Sequence, residues 1–179
     1  MTSPSIIDRL VPCKGCGTPL KLPQRSGELH CKVCDSHFHY IPELRYCSYF
    51  NFLDVKGEDY QMMINSDITI GTNERKIVTV FDTLIRSITK TIPIRSAWVS
   101  EKHSKITTQE TYEIIQEGNQ QQIVFKTACF LDDLNSVNGT SVNGVHVNDT
   151  VELKHGDVIV LAPGCKRYVE IHYFEKRER

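Results

Sequence analysis

From Met62 onward, short apolar runs are broken by Gly, Asn and Asp, and long 3.6-residue apolar stripes are hard to find. That rhythm predicts strands rather than helices. MMINSDITIG (62–71) carries apolar residues into Gly71, and KIVTVF (76–81) and residues 92–99 suit half-buried strands. KITTQETYEII (105–115) and QQIVFKTACFL (121–131) flank Glu117-Gly118-Asn119, a turn signal, and so predict a hairpin. VELKHGDVIVLAPG (151–164) and RYVEIHYFE (167–175) close the series, the latter alternating through Val169, Ile171 and Tyr173. The pattern predicts a mainly β chain, with an antiparallel β sandwich over residues 60–175 and a charged, solvated tail over 176–179. No internal repeat is visible.

The chain upstream has a different logic. Residues 13–40 read CKGCGTPLKLPQRSGELHCKVCDSHFHY, with Cys13 and Cys16, then Cys31 and Cys34, as two C-x2-C pairs of identical spacing. Two intervening residues let a tight turn aim both sulfurs at one ion, and Gly15 and Gly17 lie where backbone freedom helps that turn. Leu20 and Leu22, a turn over 24–27, and Leu29 predict a hairpin that returns the second pair beside the first. Four thiolates complete a tetrahedral Zn²⁺ shell with no open position, so one structural zinc is expected. Metal binding of roughly 10–16 kcal/mol replaces the core that so small a segment cannot build. A redox C-x2-C or a disulfide pair is the competing interpretation. His30, His37 and His39 are expected at the surface or just outside the ligand shell. Cys47, Cys129 and Cys165 are expected as buried or half-buried thiols. The segment resembles a zinc ribbon, which implies docking to a partner or, less often, to nucleic acid. The expected boundaries are 1–42 for the ribbon and 43–59 for a linker whose aromatics pack partly on a neighbour.

Charge adds little, with 21 Lys and Arg against 22 Asp and Glu over 179 residues. No nucleic-acid or anionic-membrane field is implied, and Lys14, Lys21, Arg25 and Lys32 against Glu28 and Asp35 make the ribbon only mildly basic. No apolar run is long enough to span a bilayer, the N-terminus MTSPSIIDRL lacks an apolar signal core, and the seven cysteines suit a reducing compartment. A cytoplasmic protein without membrane attachment is expected.

Four pieces of the second domain fall in a recognisable order. Gly71 follows a strand; VSEKHSKI spans 99–106, DLNSVNGTSVNG 133–144 and LKHGDVIVL 153–161. Together they resemble the forkhead-associated (FHA) domain, a β sandwich whose loops at one end bind phosphothreonine peptides. The resemblance implies that Ser100 contacts the phosphate and that Asn138 pairs with the peptide main chain. It implies structural roles for Gly71, His103, Gly139, Thr140, Asn143, Gly156 and Asp157, with His103 bracing the loops from behind. The family commonly has Arg where this chain has Thr72, a basic residue or Asn where it has Glu101, and a polar group where it has Val137. Arg75 and Lys102 are the candidate replacement cations beside Thr72, with Lys105 and Arg95 further off. A dianionic phosphothreonine needs such donors, because charge-assisted hydrogen bonds dominate its capture.

No catalytic set is evident. Ser100 and His103 lack an oxyanion turn and an orienting carboxylate, and adjacent Asp132 and Asp133 point to opposite faces when extended. The Asn138 and Asn148 sequons matter only to a secreted chain. The expected function is an adaptor, not an enzyme, that docks a protein partner, reads phosphothreonine through the sandwich and carries the ribbon as a second docking module. The alternatives are a phospho-independent assembly module and a ribbon that contacts nucleic acid.

Overall fold

The structure, a computed structural model, describes residues 10–178 apart from Gln24, Val55 and residues 84–86; the side chains of Pro42 and Glu43 are also outside it. The first nine of the ten N-terminal residues expected to lack a signal core, the first residue of the expected 24–27 turn, and Arg179 of the tail therefore lie outside the described residues. The fold is all-β, as the alternation predicts, with no helix among the described residues.

The chain divides into two compact units. The first comprises residues 1–46, 111–126 and 177–179, and the second 47–110 and 127–176. In chain order the strands are β1 (Leu10–Pro12), β2 (Pro19–Lys21), β3 (Gly27–His30), β4 (His37–Leu53), β5 (Asp59–Ile64), β6 (Ile68–Thr72), β7 (Ile77–Asp82) and β8 (Ile88–Arg95). There follow β9 (Ser104–Glu117), β10 (Gln120–Asp133), β11 (Thr140–Val142), β12 (Val145–His146), β13 (Val151–Glu152), β14 (Val158–Leu161) and β15 (Val169–Glu178).

In the first unit β1 pairs with β2, and β3 pairs antiparallel with the start of β4, placing Leu29 opposite Phe38 and His30 opposite His37. β10 adds to β4 in parallel, with Ile123 opposite Tyr40. Val11, Leu22, Leu29, Phe38, Tyr40 and Ile123 are buried together, and Tyr112, Ile114 and Phe125 pack against them. The N-terminal unit thus does not end at residue 42, the boundary expected for it. Residues 111–126, the tip of the β9–β10 hairpin expected within the sandwich, share its core. A segment with so few apolar side chains needs that added strand to bury them.

In the second unit β5 pairs with β4 from Leu53↔Asp59 to Ser48↔Ile64. Residues 43–59, expected as a linker, are therefore mostly β4 and the turn into β5. Phe50 and Phe52 fall on one face by period-2 alternation and are fully buried, with Phe50 edge-on to Tyr173. At the turn, Asp54 Oδ1 accepts the N–H groups of Lys56 and Glu58. β7 pairs with β6 and β8, and β6 also pairs with β9; β14 lies between β11 and β15, and β13 pairs with β10. Ile70, Val80, Ile92, Leu131, Ile159 and Ile171 stand at the centre of the core. The strand expected over 92–99 instead ends at Arg95. Ser96 leaves the ladder, its N–H donating to Lys76 C=O and its hydroxyl to Arg167 C=O, and this turns 96–103 into a loop at the end of the sandwich.

Candidate functional site

Two loops, 96–103 and 134–139, form the candidate site, and one buried imidazole joins them. His103 Nδ1 accepts the Ser100 N–H at 3.0 Å, so the ring proton sits on Nε2 and is donated to Gly139 C=O at 2.7 Å. Burial pushes the His103 pKa down, against the opposing effects of that Gly139 contact and the Asp133 charge. The ring is neutral in this arrangement, and both loops depend on it.

Close packing of main chain on main chain fixes the first loop. A Cβ at Gly71 would lie 1.9 Å from the Glu101 carbonyl oxygen, so only glycine admits the loop at this distance. Around that contact Thr72 N–H donates to Ser100 C=O and His103 N–H to Ile70 C=O. The second loop is held by Asp133, whose carboxylate accepts from Ser136 N–H, the Ser136 hydroxyl and the Thr140 hydroxyl. Burial raises the Asp133 pKa, but the Thr140 and Ser136 donors outweigh it and hold the carboxyl below its ordinary value. Thr140, having donated to Asp133, accepts from the buried Ser104 hydroxyl at 2.8 Å. Asn143 and Asp157 lock the next turns, Asn143 Nδ2 donating to Asp157 Oδ1, Val158 N–H to Asn143 Oδ1 and Lys154 N–H to Asp157 Oδ2. Gly139, Gly144 and Gly156 all have positive φ.

The residues expected to meet a ligand divide. Ser100 Oγ accepts the Val137 N–H at 3.2 Å, which leaves its own O–H to donate. Asn138 Nδ2 donates to Trp98 C=O at 2.7 Å, so one donor of its amide is already used. Arg75 and Lys102 are exposed and line a cleft of about 1350 Å³ with Glu101, Ile77 and Phe81. Glu101 also pairs loosely with Lys76, at 3.7 Å. Thr72 also borders this cleft but presents almost no surface to it. Its side chain is only 2% exposed, and its hydroxyl donates to Val99 C=O at 3.0 Å. It faces the protein, because β6 alternation turns that side chain inward. Sequence reasoning missed Trp98 C=O, the Val137 N–H and the clamp at Asp133. The D-x-x-S spacing of Asp133 and Ser136 is a recognisable local turn signal for the last, whereas main-chain donors leave no trace in residue type.

The four cysteines converge as their spacing predicts. Cys13 and Cys34 Sγ lie 3.4 Å apart, Cys16 and Cys31 3.5 Å, and all four sulfurs fall within 4.8 Å of one another. A tetrahedral ion with bonds near 2.3 Å requires sulfur–sulfur distances of about 3.8 Å, which this spread brackets, so the cluster can hold a metal ion. Two equivalent turns build it. Gly17 N–H donates to Cys13 C=O and Cys13 N–H to Thr18 C=O; Asp35 N–H donates to Cys31 C=O and Cys31 N–H to Ser36 C=O. Gly17 and Asp35 hold the same left-handed position, at φ 76° and 58°. The Ser36 hydroxyl, then its N–H, then Cys13 pull the Cys34 thiol down to about 6.

Residues 86–162, under half of the chain, match the family described as the FHA domain. Gly71, Thr72 and Arg75 lie outside that stretch. Similar solved structures include the FHA domain of the CT664 protein from Chlamydia trachomatis (15% identity, 73% of this chain and 98% of that one, TM-score 0.47). Another is the yeast Pml1 splicing factor, described with its integration into the RES complex (21% identity, 74% and 81%, TM-score 0.48). A third is the N-terminal FHA domain of Rad53p from S. cerevisiae, in complex with a phosphothreonine peptide (16% identity, 71% and 93%, TM-score 0.43). No curated protein matches the chain.

Proposed function

From the FHA domain that the chain carries, we propose that loops 96–103 and 134–139 dock a partner protein through a phosphothreonine-containing segment. The observation that carries this reading is the pairing of Ser100 with the Asn138 loop across the neutral His103. Ser100 retains a hydroxyl proton for a phosphate oxygen. Asn138 retains Oδ1 and one N–H for a peptide main chain. Arg75 and Lys102 supply the charge that a phosphate of about −2 needs, in place of an arginine at Thr72. The Cys13, Cys16, Cys31 and Cys34 cluster holds one structural Zn²⁺ in this reading, and the unit around it is a second docking module. The chain then works as a non-catalytic cytoplasmic adaptor, with neither nucleic acid nor a membrane as its partner.

A second reading, phospho-independent docking at the same loops, is favoured by one feature. Val137 is 87% exposed beside Ser100, and the neighbouring Glu101 carboxylate repels a phosphate. Titration of the full chain with matched phosphothreonine and unphosphorylated peptide sets separates the two. Preferential binding of the phosphorylated set, weakened at least tenfold in Ser100→Ala and Asn138→Ala, supports the first. Equal binding of both sets, unchanged in those variants, removes it.

A further inference from the structure

Beside the cysteine cluster, three further donors converge that the four-thiolate site does not use. His30 and His37 are directly opposed in the β3–β4 ladder. Their rings stack at 4.4 Å with 12° between planes. Asp35, in the turn that connects them, directs its carboxylate at both. Oδ1 lies 2.5 Å from His30 Nε2 and 4.0 Å from His37 Nε2. We propose that His30, Asp35 and His37 form a second, solvent-facing site for a divalent transition metal of the Zn²⁺ class.

The ligand chemistry is specific to such ions. Imidazole nitrogen with one carboxylate suits zinc, nickel and copper, whereas calcium and magnesium require mostly oxygen. The dimensions also fit. Bonds of about 2.0–2.1 Å from one ion hold neighbouring donors roughly 3.0–3.4 Å apart, and the two nitrogen–oxygen separations straddle that range. The stacked rings must turn out of their parallel arrangement so that both Nε2 lone pairs meet one centre, and the side chains are exposed enough to do so, at 45%, 86% and 64% for His30, Asp35 and His37. The backbone already sets the three residues. Asp35 takes the left-handed conformation that the second cysteine turn demands, and the ladder fixes the two histidines across from each other.

Three ligands leave at least one coordination position open, unlike the closed four-thiolate shell. Water fills it, or a donor from a docked partner, so the site exchanges metal readily. A simple histidine–carboxylate ion pair is the alternative. The chain contains one for comparison, His172 with Glu170 at 2.6 Å, which has no third donor among the described residues.

The test is equilibrium uptake of Zn²⁺ by the full chain, with free thiols counted separately to follow the cysteine cluster. The expected result is two equivalents, the second exchangeable and weakened at least tenfold in His37→Ala and in Asp35→Asn, which keeps the side-chain shape. His172→Ala leaves it unchanged. Uptake that stops at the equivalent protecting the thiols overturns the proposal, as does a second equivalent unaffected in Asp35→Asn. Failure of the thiols to be protected counts against the four-cysteine reading alone.

Discussion

Gly71 and Glu101 stand so close that a methyl group on the first would meet the carbonyl oxygen of the second at 1.9 Å. The obstruction is backbone, with no flexible side-chain end to swing aside. Gly71→Ala therefore moves loop 96–103 or strains β6, at a cost of about 3 kcal/mol. The expected outcome is a lowered urea midpoint and loss of peptide binding together, because Ser100 lies on the displaced loop. A variant with unchanged midpoint and affinity would show that the loop is held some other way.

The neutral His103 ring makes stability depend on pH in a defined direction. Its folded pKa lies below its ordinary value of 6.5, so as pH falls through 6.5 the unfolded chain takes up a proton that the folded chain resists. The contribution is fully present above about pH 6.5 and is lost as pH drops toward the folded value, by up to about 1.4 kcal/mol per pH unit in that window. Asp133, the charged group facing the ring, titrates below its ordinary 3.8 and contributes only at lower pH. His103→Gln keeps a donor for Gly139 but does not titrate. Urea midpoints at pH 7.5, 6.5 and 5.5 should fall more steeply for the wild type, with the gap between the two proteins narrowing toward pH 5.5.

How much of this was legible beforehand depends on whether side-chain identity or backbone geometry carried the feature. The cysteine pairs announce their cluster, because ligand chemistry resides in the residue type. The turns at Glu117-Gly118-Asn119 and Asn143-Gly144 are equally plain. β4 was obscured because Pro42 and a dense aromatic run resemble a joint, whereas the alternation of Phe50 and Phe52 puts both in the core. The sharing of residues 111–126 with the N-terminal unit follows from strand pairing over a long separation, which no local pattern records. The inward turn of Thr72 depends on where β6 begins, since a shift of one residue reverses the face.

Cys16 and Cys34 are exposed in the fold, and exposed thiols ordinarily react with alkylating or disulfide reagents. Held by a metal ion they are thiolates whose charge the metal draws off, which makes them poorer nucleophiles. The metal-loaded chain should therefore protect Cys16 and Cys34 along with buried Cys13 and Cys31, and a strong chelator should make those thiols reactive as it removes the ion they hold. The first unit should then lose its folded signature, since roughly 10–16 kcal/mol of metal binding supports a small core. Reaction of Cys16 and Cys34 at equal rates before and after chelation would exclude the cluster as a metal site.

In the proposed phosphothreonine reading, Arg75 and Lys102 supply the charge and Thr72 supplies none. The Thr72 hydroxyl is committed to Val99 C=O inside the protein, while the Arg75 side chain is exposed on the cleft that Lys102 and Glu101 share. Affinity for a phosphothreonine peptide should therefore fall five- to tenfold in Arg75→Ala and in Lys102→Ala, about 1–1.4 kcal/mol each for a charge-assisted contact near solvent. Rising salt should shrink the difference between these variants and wild type, because the contact is screened within about 10 Å at 0.1 M. Thr72→Val preserves shape and loses only the Val99 contact, about 1 kcal/mol of stability, and should leave peptide affinity unchanged. Affinity that falls in Thr72→Val while Arg75→Ala and Lys102→Ala bind as wild type would place phosphate recognition on β6 itself and remove the two cations from the site.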